Sequence, residues 1–488
     1  MAQRLEVVKE VRLDKLKKLK ELGINPYPAG FSKKRIPIAQ AREKEGRGVS
    51  VTGRIMGWRE HGGLVFADLV DESGHIQLWF QKTKLEDKFQ LLTLLDLGDF
   101  LGVTGEVTKT KAGELTVDVL DFELLTKAIR PLPSTWHGLR DVEERYRQRY
   151  VDMLLDPSVR QTFLFRTKFV KLLRDYLDNN GFVEVETPVL QPIYGGASAR
   201  PFVTHHNALD ADLYLRISDE LYLKRLIVGG FEKVYEIGHD FRNEGLERGR
   251  NPEFTQIEFY WAYADYEELM RFTEELLSSI IRKLKGSMVI EVGENKLDFA
   301  PPWKRVSYRE LWLEHLGIDI NKVTTEKELL KAVEKKNIKV DLKGVAGYGA
   351  TLDAVYKRII RPNLVGPMFL VDRPVEMVPL AKRKEDDPTK VSTFQLVAVG
   401  EEFLNAYNEL NDPLDQRMRW EDEAELAKKG HEEHQKLDED YIRALEYGMP
   451  PTAGWGLGVD RFVMLLTSAQ NIKEVIIFPT LRPETRSR

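Results

Sequence analysis

The chain has 488 residues, of which 42% are hydrophobic and 31% charged, a length that predicts two or more domains with separate cores. It contains no cysteine, which excludes disulfides and thiolate metal sites, and its net charge of −5 argues against nucleic-acid binding over the whole surface. No apolar run has the length of a membrane helix and the N-terminus lacks a signal-peptide core, so we expect a cytoplasmic protein without membrane contact.

Residues 1–48 are predicted to form a basic helical extension. Leu and Val recur at helical spacing among lysines over residues 11–22, and Gly23 and two following prolines end the pattern. The first 50 residues hold 13 Lys and Arg against 6 Asp and Glu. Two interpretations stay open: a solvated surface helix, or a contact between its cations and an RNA backbone.

Residues 49–127 show a β pattern. Short runs rich in Val, Ile, Leu and Phe are separated by turn signals, and a helix is predicted over residues 85–95, after the third run. Five strands with a helix after the third is the order of an OB-fold barrel, a scaffold that binds single-stranded nucleic acid. A barrel with another purpose is the alternative. The runs are 51–56, 64–69, 75–80, 100–109 and 115–125.

Residues 128–140, with the sequence Arg-Pro-Leu-Pro at 130–133, are predicted to be a stiff linker to a second domain over residues 141–488. This domain opens with a helical pattern over 163–180, and a strand-like run that ends in proline follows at 182–188.

The rest of the second domain predicts a mixed, mainly antiparallel sheet flanked by helices. Charge-rich helical patterns at about 268–365 predict a helical insertion. The chain is therefore expected to be an α+β protein. The strand-like runs are 213–217, 234–239, 255–262, 393–399 and 474–477.

Two separate segments each supply an arginine suited to phosphate, because a guanidinium matches phosphate oxygens better than an ammonium does. Glycines in the second segment allow close approach of the backbone to a ligand. A Rossmann unit is the alternative for that segment, but the required helix and acidic residue do not follow it. The first segment is Phe241-Arg242-Asn243-Glu244-Gly245 with Asn251-Pro252-Glu253-Phe254, and the second is Gly454-Trp455-Gly456-Leu457-Gly458-Val459-Asp460-Arg461.

Together these segments resemble motifs 2 and 3 of the class II aminoacyl-tRNA synthetases, and the helix and strand over 163–188 resemble motif 1, which builds the dimer interface of that class. The stretches 195–202, 220–225, 257–260 and 405–412 narrow the resemblance to the lysyl-tRNA synthetase family. The resemblance implies a class II catalytic domain and a homodimer. It also implies a ligase that activates L-lysine with ATP and Mg²⁺ to lysyl-adenylate, releases pyrophosphate, and transfers lysyl to the 3′ end of tRNA(Lys) in protein synthesis.

By this resemblance, Arg242 and Arg461 are the catalytic residues. Two positions depart from the family pattern: Arg250 stands where a histidine is usual, and Gln395 stands where a second metal-binding glutamate is usual, beside the matching Glu402. An amide offers Mg²⁺ an oxygen without a charge. The implied ATP-binding residues are Arg242, Glu244, Arg250, Asn251, Phe254, Glu402, Gly458 and Arg461.

The lysine site implied by the resemblance has a charge pattern that fits its substrate. Lysine carries two ammonium groups and one carboxylate, and several carboxylates with one arginine would select it. Tyr407 stands where the family often has Phe. The implied lysine-binding residues are Gly196, Glu220, Arg242, Glu258, Tyr260, Asn405, Tyr407, Glu409 and Gly456.

In the barrel, Arg59, Phe66, Gln77 and Glu114 match the family's anticodon-binding residues. An aromatic ring can stack on an unpaired base, and polar side chains can bond to base edges. A core position for Phe66 is the alternative, and Trp58 and Trp79 suit either environment.

His431-Glu432-Glu433-His434 is interpreted as a solvated helix face, and no zinc is expected. Two other functions stay as alternatives: a paralogue that forms lysyl-adenylate but passes lysine to a non-tRNA acceptor, and a non-catalytic RNA-binding relative. The predicted barrel weighs against the first, and the presence of both Arg242 and Arg461 weighs against the second.

Overall fold

The computed structural model of the protein describes residues 2–133, 139, 141–428 and 436–484. The segment His431–His434 and residues 134–138 and 140 of the predicted linker therefore lie outside the described residues. The chain divides into two compact units, Met1–Arg140 and Asp141–Arg488. Among the described residues, no helix combines the length and the apolar character needed to cross a membrane.

The first unit contains a closed barrel with the strand order β1-β2-β3-β5-β4. Buried and partly exposed residues alternate along the strands, which is why Val, Ile and Leu at every second position fill the interior. The strands are β1 (Gly48–His61), β2 (Leu64–Asp71), β3 (Gly74–Gln81), β4 (Phe100–Lys109) and β5 (Leu115–Thr126); the helices are α1 (Ala2–Glu21), α2 (Ile38–Arg42) and α3 (Lys82–Leu85).

The N-terminal segment packs against the barrel. Leu19 of α1 and Ile38 of α2 are buried in the same hydrophobic cluster as the barrel strands. Arg12 is also buried and donates to the backbone carbonyls of Leu97, Ala128 and Arg130. Part of the basic character of this helix therefore serves the fold of the first unit.

The second unit is built on an eight-stranded sheet with the order β14-β15-β16-β17-β18-β11-β10-β6. The strands of the second unit are β6 (Val183–Glu184), β7 (Leu190–Gln191), β8 (Val203–His206), β9 (Ala211–Leu215), β10 (Lys233–Phe241), β11 (Glu253–Ala262), β12 (Val289–Val292), β13 (Asn295–Asp298), β14 (Lys304–Ser307), β15 (Met368–Val371), β16 (Thr393–Ala398), β17 (Glu401–Asn408) and β18 (Thr452–Gly458). Of these, β7–β9 and β12–β13 form separate small sheets.

Helices cover this sheet, and several of them begin and end at ordinary capping residues. For example, the Asp265 side chain accepts a hydrogen bond from the backbone at the start of α8, and Gly286 ends this helix at φ +74°. The helices are α4 (Val142–Arg147), α5 (Arg149–Leu155), α6 (Pro157–Asn179), α7 (Glu220–Val228), α8 (Tyr266–Lys285), α9 (Tyr308–Leu316), α10 (Glu326–Lys335), α11 (Tyr348–Val355), α12 (Pro413–Lys428), α13 (Glu439–Glu446) and α14 (Val459–Thr467).

Three predicted elements differ from the structure. The range 268–365 is not uniformly helical, because β12 and β13 form a hairpin there and β14 joins the edge of the main sheet. The run 474–477 follows a short 3₁₀ helix, Ile472–Glu474, and forms no strand, since a short apolar run alone does not specify a β-ladder. The helix predicted over 85–95 is largely 3₁₀, at Glu86–Leu94.

Candidate active site

The two faces of the central strands have opposite chemistry. On one face, Phe259 of β11 and Trp455 and Leu457 of β18 pack into the main hydrophobic core with α6, α8 and α14. On the other face, Glu258 of β11 pairs with Gly456. The alternation of a β-strand thus turns one set of residues to the core and the intervening set toward a cavity.

This cavity has a volume of about 650 Å³. All of the residues that the resemblance assigned to ATP or lysine line it. Gln395 instead lines a smaller cavity of about 190 Å³, together with Glu402, Asn405 and Tyr407 from the larger one. The fold therefore brings together residues that are spread from Gly196 to Arg461 in the chain.

One end of the cavity contains the two arginines. Arg242 lies with its guanidinium carbon 5.0 Å from the centre of the Phe254 ring and donates to the backbone carbonyl of Ile217. Arg461 donates to the backbone carbonyls of Gly249 and Glu402, and burial lowers its pKa. Among the described residues, neither guanidinium forms an ion pair, so both keep their charge available for an anion.

Two charged residues beside this end, Arg250 and Glu244, form an ion pair with each other. Arg250, the departure from the family pattern, lies 2.9 Å from the Glu244 carboxylate and also approaches Glu247. Arg250 is half exposed, so this pair is easily exchanged for contacts with a ligand.

The other end of the cavity is acidic and buried. Glu220 accepts a hydrogen bond of 2.8 Å from the Tyr407 hydroxyl, which is the group that a phenylalanine would lack. Glu258 accepts hydrogen bonds from the hydroxyls of Tyr260 and Ser218. These contacts hold both carboxylates in fixed positions.

Glu409 differs from the other two glutamates. Its side chain is fully buried; Oε2 pairs with the Lys224 ammonium, whereas Oε1 accepts no hydrogen bond from any described residue. Burial raises its pKa well above the ordinary value, partly offset by the nearby ammonium of Lys224. A buried carboxylate oxygen that lacks a donor is a favourable contact for a cationic ligand.

Lys224 is the residue that sequence reasoning missed. It lies one helical turn after Glu220 on α7 and forms ion pairs with Glu220 and Glu409 from behind the cavity wall. Its spacing of four residues from Glu220 was the only signal for this contact.

A cluster of buried carboxylates lies behind Glu258. Oxygens of Asp219, Asp240 and Glu258 all lie within 4.8 Å of one another. Burial, followed by the charge of Glu258, raises the pKa of Asp219 well above its ordinary value, and the same causes raise the pKa of Asp240 to about 7. These shifts favour the protonated forms of Asp219 and Asp240, which disfavours a cation there.

The predicted anticodon residues of the first unit share the outer face of the barrel. Arg59 pairs in register with Phe66, and Phe66 with Trp79; the Phe66 and Trp79 rings are stacked with centres 6.1 Å apart. Gln77 lies on the same face of β3, and the exposed Glu114 precedes β5. Phe66 is thus not a barrel-core residue. Trp79 extends its aromatic surface, whereas Trp58 contacts the core residue Phe80.

Comparison with known proteins identifies the family. Residues 141–482 match the tRNA synthetases class II (D, K and N), and residues 49–125 match the OB-fold nucleic acid binding domain. The lysine–tRNA ligase of Syntrophomonas wolfei is 47% identical over 98% of this chain and 97% of its own length. Those of Pelotomaculum thermopropionicum and Carboxydothermus hydrogenoformans are 48% and 47% identical over 98% and 99% of this chain, and 96% and 99% of their own lengths.

The chain belongs to the lysine–tRNA ligase family of class II tRNA synthetases. The resemblance inferred from motifs 2 and 3 is confirmed. The predicted fold, an OB barrel followed by a class II domain of mixed α and β structure, is confirmed as well. The family is one of enzymes, in agreement with the predicted ligase.

Proposed function

We propose that the protein activates L-lysine with ATP and Mg²⁺ and then transfers lysyl from the adenylate to the 3′ end of tRNA(Lys). The observation that carries this proposal is the buried Glu409, whose Oε1 accepts no hydrogen bond from any described residue, at one end of the cavity; the other end holds Arg242 and Arg461, which form no ion pair within the described part of the chain. A ligand that satisfies both ends carries a cation on one side and phosphate on the other.

Activation depends on position and charge. The lysine carboxylate attacks the α-phosphorus of ATP; the new oxygen–phosphorus bond forms as the bond to the β-phosphate breaks, and pyrophosphate leaves. Arg242 is assigned to the α-phosphate and the lysine carboxylate, and Arg461 to the γ-phosphate and one face of the adenine. Phe254 is assigned to the opposite adenine face, and Glu244 to the adenine amino group.

Selection of lysine depends on the acidic end. Glu220 is assigned to the α-ammonium and Glu258 and Glu409 to the ε-ammonium. A neutral or acidic amino acid would leave these buried carboxylates without a cation, which is costly in a site of low polarity.

The residues present fit a magnesium ion with one carboxylate. Glu402 would supply that carboxylate, and the side-chain carbonyl oxygen of Gln395 is buried beside the same small cavity, where no described residue donates a hydrogen bond to it. When bound with ATP, Mg²⁺ neutralises phosphate charge and orients the leaving pyrophosphate.

We assign tRNA recognition to the barrel domain at residues 49–127 and aminoacylation to residues 141–488. The stacked pair Phe66 and Trp79 offers a platform for an anticodon base, with Gln77 and Glu114 assigned to base edges. Arg59, which forms an ion pair with Asp68, is assigned to the same anticodon.

A cytoplasmic homodimer is proposed for the assembly. The helix and strands that resemble motif 1 expose apolar side chains, which is the property of a surface that another subunit covers. These are Leu164, Val183, Val189 and Leu190.

Two assays in sequence test the function. ATP–pyrophosphate exchange that depends on lysine, but not on aspartate or asparagine, is expected first, followed by charging of tRNA(Lys). Exchange without charging would favour a ligase with a non-tRNA acceptor. Absence of exchange, with retained RNA binding, would favour a non-catalytic relative.

A further inference from the structure

Lys224 is a buried cation at the acidic end of the cavity. Its ammonium nitrogen lies 2.5 Å from Glu220 Oε1 and contacts Glu409 Oε2. The same nitrogen lies 5.9 Å and 5.6 Å from the ring centres of Tyr260 and Tyr407. The Lys224 side chain is fully buried and does not line the described cavity. Any effect of Lys224 on a ligand therefore acts through the two glutamates.

The ammonium of Lys224 and the carboxylate of Glu409 each favour the charged form of the other. Burial disfavours the Lys224 ammonium, but Glu220 and Glu409 outweigh burial and raise its pKa. Burial raises the pKa of Glu409, Lys224 lowers it, and the like charge of Glu220 raises it again. Without Lys224, two carboxylates would share a buried site, and at least one of them would take up a proton at neutral pH.

Glu258 adds a third carboxylate to this end. Burial raises its pKa, whereas hydrogen bonds from Asp219, Tyr260 and Ser218 lower it. The pKa of Asp219 is raised well above its ordinary value by burial and then by the charge of Glu258, so Glu258 is the more readily ionised member of that pair. The acidic end thus contains three carboxyl groups, those of Glu220, Glu258 and Glu409, and one ammonium.

Lysine carries two ammonium groups, and its single carboxylate is assigned to Arg242. We infer that Lys224 is a positioning residue for lysine selection, whose ammonium bridges Glu220 and Glu409, holds both carboxylates in place and favours the charged form of Glu409 toward the ammonium groups of lysine. This inference rests on the proposed lysine activation. It makes the charge held at this end of the cavity a condition of specificity, in addition to the shape of the cavity.

Substitution Lys224→Met tests the inference, because it removes the charge and keeps an unbranched apolar side chain. We expect KM for lysine to rise about tenfold or more at pH 7, since a shift of one pKa unit corresponds to a factor of ten. KM for ATP should change little. KM for lysine in this variant should fall as the pH rises from about 6.5 to 8.5, because a higher pH is then needed to ionise Glu409. Wild-type protein should show a nearly flat profile.

Two further variants control for folding and for charge. Lys224→Arg keeps the cation, so its KM for lysine should stay nearly independent of pH even if its melting temperature falls. Lys109→Met removes a lysine from an exposed ion pair with Glu45 in the first unit and should leave both substrate constants unchanged. Melting curves with and without lysine report binding without the reaction.

The inference is overturned if Lys224→Met keeps the wild-type KM for lysine and a flat pH profile. If Lys224→Met does not fold, a pH-dependent KM for lysine in Lys224→Arg overturns it instead. A wild-type protein without exchange would count against the proposed function alone. In that case the rise in melting temperature with lysine, present in wild type and lost in Lys224→Met, still supports the role of Lys224.

Discussion

At the scale of single residues, the three glycines of β18 are not equivalent. A Cβ atom on Gly454 would lie 1.9 Å from Glu409 Oε1 and 2.6 Å from Tyr260, so any side chain there displaces a lysine-site residue. A Cβ on Gly456 would approach Glu258 to 3.4 Å, and one on Gly458 would lie no closer than 3.9 Å to the described atoms. Gly454 therefore has the strictest requirement for glycine.

The two cavity arginines give the first prediction at this scale. Arg242→Ala and Arg461→Ala should each lower pyrophosphate exchange by about two orders of magnitude, because each removes about 3 kcal/mol of phosphate stabilisation. The matched control is Arg417→Ala, which removes an exposed arginine paired with Glu439. Near-normal exchange in either cavity variant would contradict the assignment of the ATP site.

Gln395 gives the second prediction. If its side chain faces the metal, Gln395→Glu should lower the Mg²⁺ concentration for half-maximal exchange, because a carboxylate binds a hard cation better than an amide does. Glu402→Gln should raise that concentration more strongly, since it removes the remaining family-matched carboxylate.

The competing outcome for Gln395 is measurable in the same experiment. Gln395 is only 4% exposed, so a carboxylate that meets no metal would be a buried unpaired charge. Gln395→Glu would then melt at a lower temperature and leave the Mg²⁺ requirement unchanged. A magnesium titration and a melting curve for each variant distinguish the two cases.

At the scale of elements, the outer face of β2 and β3 separates recognition from activation. Phe66→Ala should lower tRNA charging through the loss of about 1–3 kcal/mol of base stacking. Lysine activation without tRNA should not change, because Phe66 belongs to the compact unit that lacks the cavity. Leu120→Ala, an exposed apolar residue of β5, is the control. An equal loss of both activities would indicate a role of Phe66 in stability.

At the scale of the whole molecule, the buried carboxyl of Asp240 predicts a pH dependence of stability. Its pKa is raised from 3.8 to about 7, chiefly by burial. Between these values the folded state binds more protons than the unfolded state, so the contribution of Asp240 to stability falls as the pH rises and is constant above about 7.

Asp240→Asn should remove this contribution. The free energy of unfolding of the variant minus that of wild type should therefore increase from about pH 4 to pH 7, by up to about 1.4 kcal/mol for each unit of pKa shift, because only the wild type loses stability over this range. Denaturant unfolding of both proteins at several pH values measures this difference. Because Asp240 also lies 3.2 Å from Arg216, the absolute stability includes the loss of that pair, and only the slope with pH tests the prediction. A difference that does not vary with pH would contradict it.

Local sequence patterns are sufficient to predict the barrel, the class of the second domain and most residues of the two cavity ends. Alternation along strands such as β2 and β11 marks which residues are buried, and the spacing of Arg242, Phe254 and Arg461 within their motifs is a local property of the chain. Such local patterns also explain why a strand was wrongly predicted at 474–477. The run 474–477 is apolar enough for a strand, but no neighbouring strand pairs with it among the described residues.

The protonation equilibria of the site depend on tertiary packing, which the sequence patterns do not predict. Lys224 becomes a partner of Glu409 because α7 packs beside the end of β17, and no pattern within the chain relates those two positions. The stacking of Phe66 on Trp79 likewise depends on the register of β2 against β3. Burial and distances between remote residues fix the protonation of Glu409, Asp219 and Asp240, because desolvation and Coulomb energy depend on the folded surroundings and not on the neighbours in sequence.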